Sequence, residues 1–392
     1  MTVRAWPRLM PSGLGLSRVL VHKTRSRHTG RNSRQASQDR ETQAMSSESA
    51  SAPGTTSSDH NRTVSIHFVH AALRGARRRG EAVEPLLAPA GIPASALDEP
   101  RARVSFEQYA RLLQSLWRHM DDELLGCGRH RLPLGSFGMI CRAIIHSSSM
   151  GHAMSRASRY YALLQGGRPD FLIARDGELG YLIIDESEGG FADPFLAETL
   201  LVAGHRFASW LIGEAIALKR VDFSFAMPAY THEYEIIFAA PLRFGAERTA
   251  LCFSAACLDA PVVQGDDSLR VFLRNSIYEL LLRREHGKKI SAQVRRMFGH
   301  DEDGSMLHLE IVAERLTMSP QTLRRLLKRE GNTFQGIKDG WRRDTAITLL
   351  AETPMPIAEI ARRVGFSEPS TFHRAFKHWT GLQPSAYRMH RP

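Results

Sequence analysis

The sequence predicts an α+β domain followed by an all-α domain that contains two helix-turn-helix units. Two observations support this fold class. Between residues 63 and 268 the apolar side chains change from a helical spacing to the alternation that is typical of strands. Between residues 308 and 377 one apolar pattern occurs twice, and such internal repetition indicates a single supersecondary unit used twice.

Residues 1–62 are polar and rich in Ser, Arg and Gly. We expect them to be disordered, because they cannot bury enough apolar surface to fold. Residues 1–44 carry a net charge of +7, which would add non-specific attraction to nucleic acid. Their Arg-rich start superficially resembles an organelle transit peptide. A plainer interpretation is a reading frame that extends upstream of a true start near Met45, which mass spectrometry of the native amino terminus would test.

The predicted α+β domain covers residues 63–268 and begins with helices. Helical patterns continue to about residue 164, and Ser105 is a suitable N-cap for the segment SFEQYARLLQSLWRHM. The segments VHAALRGARRRG and SMGHAMSRASRYYALL also have helical spacing. Another long helix is expected after Pro194, in PFLAETLLVAGHRFASWLIGEAI.

Strand signals begin near the middle of this domain. Two β-rich runs flank Asp176-Gly177, which is a strong hairpin signal. We predict further short strands in RVDFSFAMP, YEIIFAA and ALCFSAACL. A linker helix over residues 269–292 would then lead to the carboxyl-terminal domain, residues 293–392.

The sequence contains no motif that identifies an enzyme or a cofactor site. It has no GxGxxG, Walker loop, HExxH or GxSxG, and its four cysteines have no zinc-binding spacing. We therefore expect no metal and no cofactor. No apolar run approaches the length of a membrane span, so we expect a cytoplasmic protein with no membrane partner. The acidic cluster of Asp185, Glu186 and Glu188 is interpreted as a solvated strand end.

One stretch of the α+β domain, LPLGSFGMICRAIIHSSSM at residues 132–150, has two interpretations. Its glycines lie next to apolar residues and allow close approach, so it is a candidate lining for a ligand pocket. Ordinary core packing explains the same pattern equally well. Effector-binding residues are therefore left unassigned by the sequence.

The repeat in the last hundred residues has matching apolar positions. The first set is Leu309, Val312, Ala313, Leu316 and Met318, and the second is Ile357, Ile360, Ala361, Val364 and Phe366. Each unit reads as a short helix, a turn and a second helix, which is the layout of a helix-turn-helix. Ser319 and Ser367 lie where the N-cap of each second helix belongs.

Each second helix is predicted to have an apolar back and a polar front. Helical spacing places Leu323, Leu326 and Leu327 on the back of the first, and Phe372, Ala375, Phe376 and Trp379 on the back of the second. On the polar fronts we expect base contacts from Gln321, Arg324, Arg325, Ser370, Thr371 and Arg374. We expect phosphate contacts from Ser319, Lys328, Arg329, Ser367, Lys377 and Arg388.

Charge distinguishes this interpretation from an ordinary helical bundle with a solvated surface. Residues 283–392 carry a net charge of +8, whereas residues 45–282 carry −4. Two units with matching arginines in the most basic folded part of the chain favour a nucleic-acid partner. A helix over about 334–351, ended by Pro354 and Pro356, would hold the two second helices apart, at about the 34 Å of one DNA turn.

These residues resemble a known family. The segment IAEIARRVGFSEPSTFHRAFKHWTGLQPSAYR, residues 357–388, is similar to the signature of the AraC/XylS transcription regulators, with Ala361, Gly381, Pro384 and the closing Tyr387-Arg388. The resemblance covers about the last hundred residues. It implies base-reading positions at Gln321, Arg324 and Arg325 in the first unit. In the second it implies Pro369, Ser370, Thr371 and Arg374, although Pro369 lacks a backbone donor.

The middle domain resembles, more loosely, the amino-terminal domain of the ornithine-utilisation regulator subgroup over residues 80–262. That likeness implies an effector-sensing or dimerising domain. It also implies promoter DNA, RNA polymerase and a small effector as partners, a possible homodimer, and activation rather than repression.

Two alternatives remain open. One is a regulator controlled by protein contacts without a ligand, and the other is a DNA-repair alkyltransferase that uses Cys252 or Cys257, which lie in a predicted strand region without a nearby base.

Overall fold

The computed structural model describes residues 63–168, 170–186, 193–277, 279–280, 290–298 and 307–388. The amino-terminal segment that we predict to be disordered, residues 1–62, lies outside the described residues. The middle domain and the carboxyl-terminal domain both belong to one compact unit of the chain.

The middle domain contains ten helices and seven strands among its described residues. The helices are α1 Ile66–Ala72, α2 Arg74–Arg78, α3 Glu84–Leu87, α4 Phe106–Met120, α5 Ser136–Ile144, α6 Met150–Leu164, α7 Pro194–Ile212, α8 Thr231–Phe238, α9 Ala256–Asp259 and α10 Asp266–Arg274. The strands are β1 Thr63–Ser65, β2 Arg103–Ser105, β3 Phe171–Asp176, β4 Leu179–Ile184, β5 Leu218–Asp222, β6 Leu242–Arg243 and β7 Ala250–Ser254. Two short 3₁₀ helices, Ala88–Ala90 and Ala94–Asp98, complete this part of the chain. The predicted α+β class is confirmed.

The strands form two separate sheets. β1 and β2 pair antiparallel into a small ribbon, with Val64 opposite Val104. The larger sheet has five strands in the order β3-β4-β7-β5-β6, and only the β5–β6 pair in it is parallel. β3 and β4 form the predicted hairpin, and its turn is Gly177-Glu178, one residue later than expected, with Gly177 at φ 52°.

The predicted N-cap of α4 is confirmed, and a predicted strand is wrong. Ser105 and Gln108 form a reciprocal capping box at the start of α4. The segment YEIIFAA, in contrast, is mostly part of helix α8. Its β-branched and aromatic residues favour a strand locally, but Tyr234 and Phe238 lie one helical turn apart and both pack on the ring of Phe223, at 5.1 and 5.7 Å between centroids.

The carboxyl-terminal domain is entirely helical among the described residues. Its helices are α11 Ile290–Met297, α12 Leu309–Arg315, α13 Pro320–Arg329, α14 Phe334–Glu352, α15 Ile357–Arg363, α16 Pro369–Thr380 and α17 Pro384–Arg388. The helix-turn-helix units are therefore α12–α13 and α15–α16, as the repeat predicts. Each unit has its own core, with Val312 and Leu323 in the first and Ile360 and Phe372 in the second.

Helix α14 joins the two units because it contributes to both cores. Ile337 near its start packs into the first core, and Ile347 and Leu350 near its end pack into the second. Its 19 residues correspond to a length of about 28 Å. The prediction of a connecting helix over residues 334–351 is thus confirmed to within one residue.

The region of the predicted linker helix contains parts of two helices. α10 begins at Asp266, before the predicted start, and Phe272 from this helix stacks on Trp210 of the middle domain at 4.3 Å. α11 contributes Val294 to the first core of the carboxyl-terminal domain. Residues 281–289 lie outside the described residues, so the linker itself stays a prediction.

Candidate nucleic-acid interface

The second helix of the first unit, α13, has a capped start and an apolar back. Ser319 is the N-cap, and its Oγ accepts the backbone N–H of Thr322 at 3.1 Å. Pro320 occupies the first helical position, where a backbone N–H is not needed. Leu323 and Leu327 are buried one turn apart, so α13 packs against its core with one side and leaves the other in solvent.

The solvent side of α13 consists of polar side chains. The exposed residues are Gln321, Arg324, Arg325, Lys328 and Arg329. Within the described part of the chain, none of the four cations forms a hydrogen bond or ion pair. Exposed Arg362 on α15, by comparison, is paired with Glu359 at 2.5 Å. The cations of α13 are therefore available to an external polyanion.

The second helix of the second unit, α16, has the same organisation with fewer charges. Phe372 and Phe376 are buried on its back. The exposed front consists of Ser370, Thr371, Arg374 and Lys377. The two cations of this front likewise have no hydrogen bond or ion pair to any residue that the structure describes. The stretch VGFSEPSTFHRAFKHWTG, residues 364–381, is thus a turn followed by an amphipathic helix whose polar face lies in solvent.

The start of α16 differs from the prediction. Ser367 is exposed but is not the N-cap, because Glu368 occupies that position and makes no side-chain hydrogen bond to the helix. The second unit has one extra residue in its turn, and Pro369 fixes the first helical position immediately after Glu368. Proline at the first position of both helices is the signal that would have placed the cap correctly.

Arg388 differs from the other predicted phosphate contacts, which are all exposed. It is partly buried at the end of α17, and its Nη1 donates to the carbonyl oxygen of Thr353 at 3.4 Å. This hydrogen bond holds α17 against the residue that follows α14. The environment of Arg388 therefore favours a structural role within the second unit.

Asp344 on α14 connects the carboxyl-terminal domain to the middle domain. Its buried carboxylate accepts a hydrogen bond from the Thr63 hydroxyl of β1 at 2.6 Å, and Nε of Arg103 in β2 lies 3.9 Å away. Arg343 donates to the same carboxylate at 3.0 Å, and Arg295 of α11 also pairs with it. Burial alone would raise the pKa of this carboxyl, but the three guanidinium groups outweigh burial and hold the pKa well below its usual range.

The middle domain also contacts the end of α16. Nη1 of Arg101 donates to the carbonyl oxygen of His378 at 3.1 Å. Gly381, the C-cap at φ 76°, is covered so closely by Glu99 that a Cβ at this position would overlap the Glu99 carboxyl group. In the described residues no hydrogen bond or ion pair joins α13 to the middle domain. The two second helices therefore differ in their attachment.

Sequence reasoning missed this contact between the domains. At the end of α14, Glu352 accepts hydrogen bonds from the Ser105 hydroxyl at 2.7 Å and from Nη2 of Arg111 at 2.9 Å. The middle-domain partners of Glu352 and Asp344 lie more than 240 residues away along the chain, and no local pattern points to them. The one local signal is an acidic residue, Asp344, among the buried positions of α14.

The middle domain contains a partly open cavity of about 190 Å³. Part of its wall comes from residues 132–150, the stretch with two interpretations, and consists of Leu132, Phe137, Ile140, Cys141 and Ile144. Most of these side chains also belong to the buried core, so the stretch packs in the core and lines a cavity, and its use as a ligand site stays a prediction. A second cleft of about 400 Å³ lies between the middle domain and helices α11 and α14.

Burial makes the cysteines poor candidates for the alkyl-transfer alternative. It raises the pKa of Cys127 to about 12 and also raises the pKa of Cys141 and of Cys257. A reactive thiol needs the opposite shift. Cys252 is buried within β7. Across the described ranges, no cluster of three or more His, Cys, Asp or Glu is placed to hold a metal ion, and no helix is both long and apolar enough to span a bilayer.

Comparison with known proteins identifies the family. The arabinose-binding amino-terminal domain of AraC transcription regulators matches residues 80–262, and a helix-turn-helix domain matches residues 312–390. The predicted resemblance of both domains to AraC-type regulators is therefore confirmed, and the chain has the two domains of a DNA-binding transcription regulator of this type.

Two transcription regulators match most of the chain, and a third matches about a fifth of it. The ornithine utilization regulator of Pseudomonas aeruginosa is 28% identical over 83% of this chain and 96% of its own length. An uncharacterized helix-turn-helix transcriptional regulator of Mycobacterium tuberculosis is 27% identical over 80% of this chain and 92% of its own. The arabinose operon regulatory protein of Salmonella typhimurium is 39% identical over 21% of this chain and 30% of its own.

Proposed function

We propose that this AraC-type regulator binds double-stranded promoter DNA with α13 and α16 in successive major grooves. The observation that carries the proposal is the pair of equivalent helices, each docked by an apolar back and each presenting cations that have no partner among the described residues. A recognition helix requires this arrangement, because the back fixes its position while the front reaches base edges and phosphates.

The side chains fall into two proposed roles. Gln321, Arg324, Arg325, Ser370, Thr371 and Arg374 would contact bases, since arginine can donate two hydrogen bonds to guanine and an amide suits adenine. Ser319, Lys328, Arg329, Ser367 and Lys377 would contact phosphates. The length of α14, about 28 Å, supports a separation of the two helices close to one turn of DNA, about 34 Å.

The regulation is proposed from the middle domain and from the relatives. We propose that a small effector binds the middle domain and changes how the two recognition helices engage DNA, as an activator of a catabolic or metabolic operon. The cavity in the middle domain and the charged contacts with α14 support this coupling. Contact with RNA polymerase and assembly as a homodimer are part of the same proposal, as is a cytoplasmic location.

The proposal is tested by selecting duplexes from a random pool with the full chain. We expect enrichment of a bipartite sequence whose two conserved parts are about one helical turn apart. The Arg325→Ala variant is expected to lose selectivity in one part only. Arg362→Ala is the matched control, because Arg362 is an exposed arginine of α15 outside both polar fronts. Failure of the wild-type protein to enrich any sequence over the starting pool would contradict the proposal.

A further inference from the structure

The lining of the middle-domain cavity restricts the kind of molecule that it can hold. Among the described residues that line it there is no Lys, Arg or His, and most of this wall is aromatic or aliphatic. The one acid, Glu123, has both carboxylate oxygens engaged, since they accept the backbone N–H groups of Gly135 and Phe137 at 2.8 Å each. A carboxylate or phosphate ligand would therefore be buried without a counter-charge, next to an acidic side chain.

Sugars and amino acids fit this wall poorly for a related reason. Each buried hydroxyl or ammonium group needs a partner, and an unsatisfied one costs about 1–3 kcal/mol. The hydroxyl of Thr199 already donates to the carbonyl oxygen of Phe195 at 2.8 Å. The hydroxyl of Tyr161 differs, because it forms no hydrogen bond with any residue described by the structure. Tyr161 is thus left for a ligand, together with Ser276, whose hydroxyl likewise forms no hydrogen bond with any described residue.

The cavity volume sets the size of the ligand. An apolar cavity of about 150 Å³ is large enough for benzene. The 190 Å³ here would accept one ring with a short substituent, or an aliphatic molecule of similar volume.

One side of the cavity belongs to the segment that leads to the DNA-binding domain. Ser276, Ile277 and Leu280 line it, and they directly precede residues 281–289, which connect to α11. Nη1 of Arg206 donates to the carbonyl oxygen of Leu280 at 2.9 Å, so the end of this segment is already attached to α7.

The cavity also shares part of its wall with the cleft between the domains. Trp117, Glu123, Leu124, Leu196 and Thr199 line both spaces. A ligand in the cavity would therefore contact the linker-proximal segment on one side and the wall of the interdomain cleft on another. Either contact gives the ligand different interactions in two arrangements of the domains, which a shift in equilibrium requires.

We infer that this cavity is the effector site and that its ligand is a small neutral molecule, mainly apolar, with one hydrogen-bonding group that meets Tyr161. An alkylated phenol has this chemistry. The effect on DNA rests on the proposed function, whereas the binding of the ligand does not.

The test uses the full chain and 4-ethylphenol as the probe, with isothermal titration calorimetry and thermal unfolding. We expect saturable binding with a rise in Tm. We expect no binding of 4-ethylbenzoate, which has a similar shape and a negative charge, nor of L-ornithine or L-arabinose. Absence of 4-ethylphenol binding up to its solubility limit would overturn the inference, and so would preferential binding of any of the other three compounds.

Two variants locate the bound probe. Ala157 is buried and lines the cavity, so Ala157→Leu fills part of it and is expected to weaken binding at least tenfold. The matched control is Ala256→Leu, the same change at an exposed position of α9, which should leave affinity unchanged. Binding that persists in a folded Ala157→Leu protein would place the probe elsewhere, for example in the interdomain cleft, and would overturn the assignment.

A second variant, Tyr161→Phe, tests the same ligand site if Ala157→Leu does not fold. The change removes only a hydroxyl without a protein partner in the described structure, so little loss of stability is expected. Affinity for 4-ethylphenol should fall about two- to tenfold, the range for one hydrogen bond, while affinity for ethylbenzene should not change. Equal affinities of wild type and variant for 4-ethylphenol would contradict the role of Tyr161.

The dependence on DNA is measured separately, on a duplex selected without ligand. Sequence-specific DNA binding without 4-ethylphenol binding would refute the cavity assignment alone. Binding of 4-ethylphenol by a protein without sequence preference would refute the proposed function alone. If both occur, saturating 4-ethylphenol should change the affinity for the selected duplex by at least fivefold, and an unchanged affinity would contradict the coupling.

Discussion

The two helix-turn-helix units share an apolar skeleton and differ in charge, capping and attachment. The front of α13 has four exposed cations and its start is capped by Ser319, whereas the front of α16 has two exposed cations and its start has no side-chain cap. The end of α16 is held by Glu99 and Arg101 of the middle domain. We infer that the repeat preserves the fold of the unit while the tasks diverge. We propose that the first unit makes electrostatic and base contacts and that the second also reports the state of the middle domain, to which it is attached.

Because each helix-turn-helix unit has its own core, a core mutation can destabilise one unit without the other. We expect Phe376→Ala to destabilise the second unit by about 3–5 kcal/mol, because this fully buried ring packs on Phe372 and Tyr387. Hydrogen exchange should show lost protection in α15–α17 and retained protection in α12–α13. Leu323→Ala is the reciprocal variant. It should reduce hydrogen-exchange protection in α12–α13 before it does so in α15–α17. Equal loss of protection in both units would show that they unfold as one.

The contact between the domains should depend on the charge of Asp344. Asp344→Asn removes the carboxylate that pairs with Arg295 and Arg343, whereas Arg103 keeps Glu233, and we expect a loss of stability of about 3 kcal/mol at pH 7, measured by chemical denaturation. The control is a mutation of Asp339. This residue lies on the same helix, is partly exposed and pairs with Arg342. We expect Asp339→Asn to change stability by less than about 1 kcal/mol.

The stability difference between wild type and Asp344→Asn should depend on pH in a defined direction. The pKa of Asp344 is lowered on folding, so its contribution is present above the unfolded pKa of about 3.9 and is lost as pH falls through the lower folded value. The stability difference between wild type and Asp344→Asn should therefore be constant from about pH 7 to pH 5. It should shrink below about pH 4, and a difference that grows on acidification would contradict this assignment.

Removing one arginine from each polar front compares how much the two units contribute to the free energy of DNA binding. We expect Arg325→Ala to weaken binding to a selected duplex by about 1–3 kcal/mol while binding to random duplex changes little. We expect a smaller loss for Arg374→Ala, because the second front has fewer polar groups. Fluorescence anisotropy with both duplexes measures the two effects. A loss that is equal on selected and random DNA would argue against base reading by Arg325.

The smallest expected effects concern the lysines. Lys328→Ala and Lys377→Ala should each reduce the slope of log affinity against log salt by about one, because each removes one phosphate contact. The losses should be the same on every duplex sequence. A sequence-dependent loss for Lys377→Ala would assign it a base contact instead.

The helical domain could be predicted closely from the sequence, because its repeat fixes both apolar backs and both turns. Leu323, Leu327, Phe372 and Phe376 are buried as their spacing indicates. The repeat predicts the N-cap of α16 at Ser367, but one residue is inserted in the second turn. The cap is therefore Glu368, directly before Pro369 at the helix start.

The middle domain was less predictable for physical reasons. Segment YEIIFAA has local strand preferences that packing of Tyr234 and Phe238 on Phe223 overrides. The cavity and the domain contact depend on residues far apart in the chain. Thr63 and Asp344, for example, are 281 positions apart, and local periodicity carries no information about such a pair.

Footprinting of the full chain on a duplex selected from a random pool tests the two-groove proposal most directly. We expect two protected major-groove segments on one face of the duplex, with centres about 34 Å apart. Arg325→Ala should remove protection from one segment and Arg374→Ala should weaken protection at the other. A single protected segment, insensitive to one of the two arginines, would show that the units do not both enter the DNA.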